Sequence, residues 1–148
     1  MNKLIIGLIG EHGVGKTVAA NTLKNLGFHK LSISSKVEDV AQYLFSKDEI
    51  KHNRNTILNE VRRRGIKVCK EYWLNLILVT LPSDTNLIVF DDFSIDEASV
   101  KKVKTIQIIR PSFTTLELPD LETIVNDSSL NDFKAKIEEL GKKLPRQK

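Results

Sequence analysis

The stretch GLIGEHGVGKTVAA, Gly7 to Ala20, follows the apolar run that starts at Lys3 and places four glycines, one lysine and one threonine in fourteen positions. Glycine disfavours helix and strand interiors alike. So many in one place mark a hinge whose backbone performs a task that side chains would obstruct. Within the stretch, Gly10 to Thr17 reads G-E-H-G-V-G-K-T and fits G-x-x-x-x-G-K-[ST], the phosphate-binding pattern, with an apolar run before it and helical periodicity after it. A polyphosphate needs several backbone N–H donors at close range, which glycines permit. The following helix turns its N-terminus toward the anion. Lys16 reaches the β- and γ-phosphates in this reading, and the Thr17 hydroxyl ligates Mg²⁺. His12 occupies a variable position and reads as an exposed spacer. The plain alternative is a Gly-rich turn that binds nothing.

Outward from the hinge, Lys3–Ile9 has the continuous apolar character of a strand buried on both faces. Residues 17–26 read as a helix stopped by Gly27, FHKLSI as a second strand, and SSKVEDVAQYLF as a serine-capped helix. Helical periodicity runs from Asn53 to about Leu81, with a break expected at Gly65. LIVF is a buried strand, SIDEASVKKV a short helix, TIQIIR and ETIV further strands, and SSLNDFKAKIEELGKK a closing amphipathic helix. Alternating strands and helices imply right-handed crossovers, a parallel sheet and helices on both faces. Ligands then bind at the carboxyl ends of the strands, which places functional residues after Ile9, Leu31, Phe90, Ile109 and Val125.

The chain of 148 residues reads as one domain, 1–148, with no repeat, low-complexity tract or linker. No apolar run reaches the length of a membrane span, and the N-terminal run reads as a strand rather than a signal segment. Cys69 is the only cysteine, so no internal disulfide forms. That favours a cytoplasmic location, and Cys69 itself is expected to be a buried small hydrophobe. The net charge of +4 is modest and concentrated partly in the final GKKLPRQK, which disfavours nucleic acid as partner.

Three further groups carry candidate chemistry. Asp91 and Asp92 end the LIVF strand, where a carboxylate holds Mg²⁺ across from Thr17 or serves a phosphate acceptor. Arg62, Arg63 and Arg64 point about 100° apart on a helix, so at most one or two face a cleft. Arg110 ends the TIQII strand, at the ligand edge. No N-K-x-D motif is present, which argues against a GTPase switch.

In order, GLIGEHGVGKT, GFHKLSISSKVEDVA, VFDDFSIDEASVKKVKTIQIIRP and LETIVNDSSLNDFKAKIEEL resemble the nucleoside monophosphate kinase group of P-loop proteins. The likeness is to deoxynucleoside monophosphate kinases and dephospho-CoA kinases. The resemblance implies a P-loop NTPase three-layer sandwich with a five-stranded parallel sheet. It implies that Gly10 and the run Gly13, Val14, Gly15, Lys16, Thr17 and Val18 cradle ATP, with Asn126 and Asp127 near the adenine. Asp91 matches the family acid and would hold metal, Glu97 its acidic partner, and Arg110 the strand-end arginine. Ser34 begins the substrate-side helix, Arg62 faces the acceptor phosphate, and Asp92 falls on the acceptor side of the acid. Lys16, Asp91 and Arg110 are thus the expected catalytic set, with ATP and Mg²⁺ as cofactors.

Two departures stand out. Phe93 replaces a family arginine two residues after the aspartate. The segment SFTTLELPDL, where such kinases carry an arginine-bearing lid, has no basic residue, so the lid is reduced. Lid arginines exclude water and supply charge to the transferring group. The expected activity is therefore ATP-dependent phosphoryl transfer to a small phosphorylated acceptor, first among them a (deoxy)nucleoside monophosphate. The alternative is a non-catalytic ATP-binding sensor of the same fold, and a weak ATPase working with a partner stands third. For a working kinase, the missing charge comes from Arg62 to Arg64, from Arg110, or from a second subunit of a homodimer.

Overall fold

The computed structural model describes residues 3–98, 100–114 and 117–147. In chain order these form β1 (Leu4–Ile9), α1 (Lys16–Asn25), β2 (His29–Leu31), α2 (Ile33–Leu44), α3 (Lys47–Val68), α4 (Tyr72–Leu78), β3 (Leu87–Phe90), a 3-10 turn (Ile95–Glu97), β4 (Lys104–Ile109), β5 (Glu122–Val125), α5 (Leu130–Lys143) and a closing 3-10 turn (Leu144–Gln147). They group into two units, Met1–Leu31 with Ser83–Lys148, and Ser32–Pro82.

The first unit is an α/β unit built on a five-stranded sheet of order β2-β3-β1-β4-β5, every pair parallel. The strands end at Ile9, Leu31, Phe90, Ile109 and Val125, the five positions expected from the apolar runs. Strand alternation sends Ile6 and Leu8 to one face. There they join Val89, Ile106 and Ile108 beneath Ala19, Ala20 and Leu23 of α1 and Phe133, Ile137 and Leu140 of α5. Each large side chain fully buried in this way contributes about 1.5–3 kcal/mol. On the opposite face Gly7 leaves room for Phe93: a Cβ at Gly7 would lie 2.5 Å from the Phe93 ring.

The segment read as a helix from Ser94 to Val103 forms only the 3-10 turn. Its backbone advances in steps of three: Glu97 N–H donates to Ser94 O, Val100 N–H to Glu97 O, and Val103 N–H to Val100 O. Val100 and Val103, one such step apart, are both buried. Ser99 lies outside the described residues.

In the second unit, α2 starts at Ser32, whose side chain accepts from Ser35 N–H, and α3 at Ser46, which forms a capping box with Glu49. Arg54 of α3 grips the Glu38 carboxylate of α2 through both terminal nitrogens, at 2.8 and 2.6 Å. The break expected at Gly65 does not occur. α3 runs through it to Val68, and its one non-helical residue is Asn53 (φ −129°, ψ 33°). Gly65 is instead a packing site, because a Cβ there would lie 2.7 Å from Trp73 Nε1 and from Tyr72 Cδ1. The chain leaves the helix at Cys69, which is exposed rather than buried. A C-terminal flanking position beyond the apolar stripe has no core to enter.

Candidate functional site

The loop between β1 and α1 lies at the carboxyl end of the central strand. Gly10 is held close to β4, since a Cβ on it would stand 2.7 Å from the Ile108 carbonyl oxygen. Gly13 (φ 85°) and Gly15 (φ 112°) adopt left-handed backbone, which other residues enter only at a cost. Gly15 is the N-cap of α1, and no side chain caps the helix start. Val14 between them is fully buried and anchors the loop.

This loop forms one wall of an open cleft of about 420 Å³. Lys16, Thr17 and Val18 open the helix beside it, with His12 at its rim. Arg110 from the end of β4, Asn126 and Ser128 beyond β5, and Leu130 and Phe133 of α5 complete the lining. The Arg110 guanidinium lies 4.5 Å from the centroid of the Phe113 ring and donates from Nη1 to Gly13 O at 3.3 Å. Asn126 extends the β4–β5 ladder, its N–H donating to Ile109 O at 2.8 Å, and its Nδ2 donates to Val14 O at 3.0 Å. Gly13, Gly15, Lys16, Thr17, Val18, Arg110 and Asn126 are thus brought together around one cavity. The cavity carries cationic side chains and an uncapped helix start, a setting suited to an anion.

Asp91 and Asp92 stand at the end of β3, the neighbour of β1, and do not line this cavity. Lys30 Nζ lies 3.7 Å from Asp91 Oδ2. Burial raises the Asp91 carboxyl above its usual range, the neighbouring Asp92 charge adds to this, and Lys30 opposes it. Glu97 is almost fully buried and receives Ser94 N–H and Oγ, at 3.2 and 2.7 Å. Phe93 points into the core against Gly7 and Phe90, so an arginine at that position would have to be buried there. Among the described residues no group of three or more His, Cys, Asp or Glu side chains is placed to hold a metal ion.

Ser34 and Arg62 belong to the second unit and touch each other there, Arg62 Nη1 donating to Ser34 Oγ at 3.3 Å. Arg63 and Arg64 both bond Glu60, which holds its carboxyl down at about 2. The triplet therefore divides as helical geometry requires, with Arg62 set apart from the other two. A separate cavity of about 440 Å³ within this unit has apolar walls that include Val40, Leu44, Val61 and Trp73, and Glu60 and Arg64 among its lining.

Two residues near the cleft carry roles absent from the sequence reading. Gln107 is buried in β4, and its amide clasps the backbone of Leu118 from both ends: Leu118 N–H donates to Oε1 at 2.7 Å, and Nε2 donates to Leu118 O at 3.1 Å. Leu118, in the segment SFTTLELPDL, is therefore tied to the sheet. Thr115 and Leu116 within it lie outside the described residues. A lone glutamine inside the apolar run TIQII was the available signal. Phe113, the platform under Arg110, had none, because its partner is set by the turn that Phe113 and Thr114 N–H make on Arg110 O.

No helix among the described residues is long and apolar enough to cross a membrane. No protein-family model matches the sequence, and no curated protein is significantly similar to it. Among solved structures, the chain is similar to a protein from Chloroflexus aurantiacus J-10-fl provisionally described as a kinase. The match has a TM-score of 0.51 at 14% identity and covers 94% of this chain and 96% of that one. At that identity the likeness is one of fold: a parallel α/β architecture shared with a kinase-like protein along nearly the whole chain.

Proposed function

We propose that the chain is a P-loop three-layer protein that transfers a phosphoryl group from ATP to a small phosphorylated acceptor, first among candidates a (deoxy)nucleoside monophosphate. One observation carries this reading: the G-x-x-x-x-G-K-T hinge, with positive φ at Gly13 and Gly15, lines a cleft together with Lys16 and Arg110. The kinase description of the Chloroflexus protein points the same way.

The residues present fit a nucleotide. Gly10 and Gly15 let the loop lie tight against Ile108 and Phe133, where a Cβ would come within 2.7 and 2.8 Å, and the start of α1 has no side-chain cap hydrogen bond. With few carboxylates nearby, the donor set suits Mg²⁺, which keeps its waters and leans on phosphates, rather than a metal needing an all-protein cage. Thr17 Oγ1 would hold it at the cleft, with the Asp91 carboxylate, which lies outside the cleft lining, acting through a water, and bound Mg²⁺ would neutralise phosphate charge. Lys16 would lie along the terminal phosphates and offset charge moving to the bridging oxygen. Arg110 would stabilise the transferring group. Ser34 and Arg62 would receive the acceptor phosphate, Asp92 would orient the acceptor, and Asn126 would border the nucleotide.

A second reading, an ATP-binding module without turnover, is favoured by one feature: residues 112–121 contain no lysine or arginine. Two measurements separate the cases. Calorimetry with Mg-ATP should show an affinity loss of about tenfold or more for Lys16→Ala, the scale of a lost charge-assisted hydrogen bond. Equal affinities would remove the loop from the account. A coupled ADP-release assay over nucleoside monophosphates and dephospho-CoA should reveal an acceptor. ATP binding with no acceptor in the panel would leave the binding module.

A further inference from the structure

The loop holds two peptide planes between its left-handed glycines, Gly13–Val14 and Val14–Gly15. Glycine-flanked planes turn over at low cost, because glycine occupies either sign of φ. In a trans peptide the C=O and N–H point in opposite directions. A flipped plane therefore puts a carbonyl oxygen where an anion requires a donor. Each plane is held by a side-chain donor from a different strand end. Arg110 Nη1 reaches the Gly13 carbonyl at 3.3 Å, and Asn126 Nδ2 reaches the Val14 carbonyl at 3.0 Å.

Asn126 is itself placed with care. Its N–H is fixed to Ile109 O, and its amide nitrogen occupies the space beside Gly15, where a Cβ would come within 3.0 Å of it. A carbonyl partner accepts only from the NH₂ end of the side chain, which fixes the amide's orientation and commits that end to the loop. We propose that Asn126 is a positioning residue for the phosphate loop. It holds the Val14 carbonyl back so that the Gly15 N–H stays turned to the anion, and it does not read the base. This inference rests on the nucleotide reading above, and it gives Asn126 a different role from the adenine-side one implied by the family resemblance.

The test compares Mg-ATP with Mg-tripolyphosphate, which has the phosphates and no base, by calorimetry on wild type, Asn126→Ala and Asn126→Gln. Amide hydrogen exchange is followed across Gly13–Lys16 without ligand. Asn126→Ala should weaken both ligands by the same factor, about tenfold, the scale of one hydrogen bond that orders a charge-binding group. It should also speed exchange at Gly15. Asn126→Gln keeps a donor and should recover part of both losses, which general destabilisation would not do. If Asn126→Ala does not fold, Asn126→Leu fills the same space without a donor and carries the same expectations. A loss confined to ATP would make Asn126 a base reader and overturn the proposal, as would no loss on either ligand. Wild-type protein that binds neither ligand would refute the nucleotide reading and this inference together; unequal losses in the variant refute the inference alone.

Discussion

Gly15→Ala tests the hinge most directly. At φ 112° an alanine enters left-handed backbone, at a cost of about 1–2 kcal/mol. Its Cβ would also stand 2.8 Å from Phe133 Cε2. Phe133 is only 1% exposed and belongs to the core cluster, so displacing the ring disturbs core packing, and overpacking of this kind costs about 1–3 kcal/mol. The two terms sum to roughly 2–5 kcal/mol if the loop keeps its course. A chain of this length then loses about 5–15 °C in unfolding temperature. The loop has one escape, which is to move off Phe133 and Asn126, and that would dismantle the proposed anion cradle. Scanning calorimetry and tripolyphosphate titration of the same sample cover both routes. Trp73, the single tryptophan, lies in the second unit, so its fluorescence reports whether damage is confined to the first. A variant with wild-type unfolding temperature and wild-type phosphate affinity would refute the reasoning, because neither strain nor rearrangement would then have occurred.

The second unit offers a parallel case in Gly65→Ala. Alanine favours the helix by about 1 kcal/mol, but its Cβ would press on Trp73, whose Nε1 donates to Arg62 O at 2.9 Å. Overpacking and the strained hydrogen bond should prevail by about 1–2 kcal/mol, and a raised urea midpoint by Trp73 fluorescence would contradict this. For Asp91, a carboxyl raised by burial and by Asp92 favours the protonated form in the folded state. Its contribution to stability is therefore complete below the ordinary value of 3.8 and is lost as pH rises through the raised one. Asp91→Asn should accordingly unfold at a higher temperature than wild type at pH 7, with the gap closing toward pH 3. A wild type more stable at neutral pH would show that the Lys30 contact outweighs burial.

Much of the first unit was legible because its signals are local. A run such as LIIGLI or LIVF is too apolar to lie anywhere but inside, so each strand and its carboxyl end could be read directly. The glycines and Lys16 marked the hinge because the phosphate-loop pattern is one of neighbouring residues in sequence. What remained hidden depends on partners distant in the chain. The order that places β1 between β3 and β4 is decided by how whole faces pack, which no single run encodes. Gly65 looked like a helix break, yet it is a contact surface for Trp73, eight residues on. Phe93 read as a missing arginine, although the space above Gly7 is apolar and admits only a hydrophobe. The same holds at the cleft. The sequence by itself determined that a phosphate loop pattern follows β1 and that Arg110 and Asn126 follow β4 and β5. Only the tertiary structure decided that those two side chains meet the carbonyls of Gly13 and Val14, because a hydrogen bond spanning about a hundred residues exists only once the parallel strands have aligned their ends.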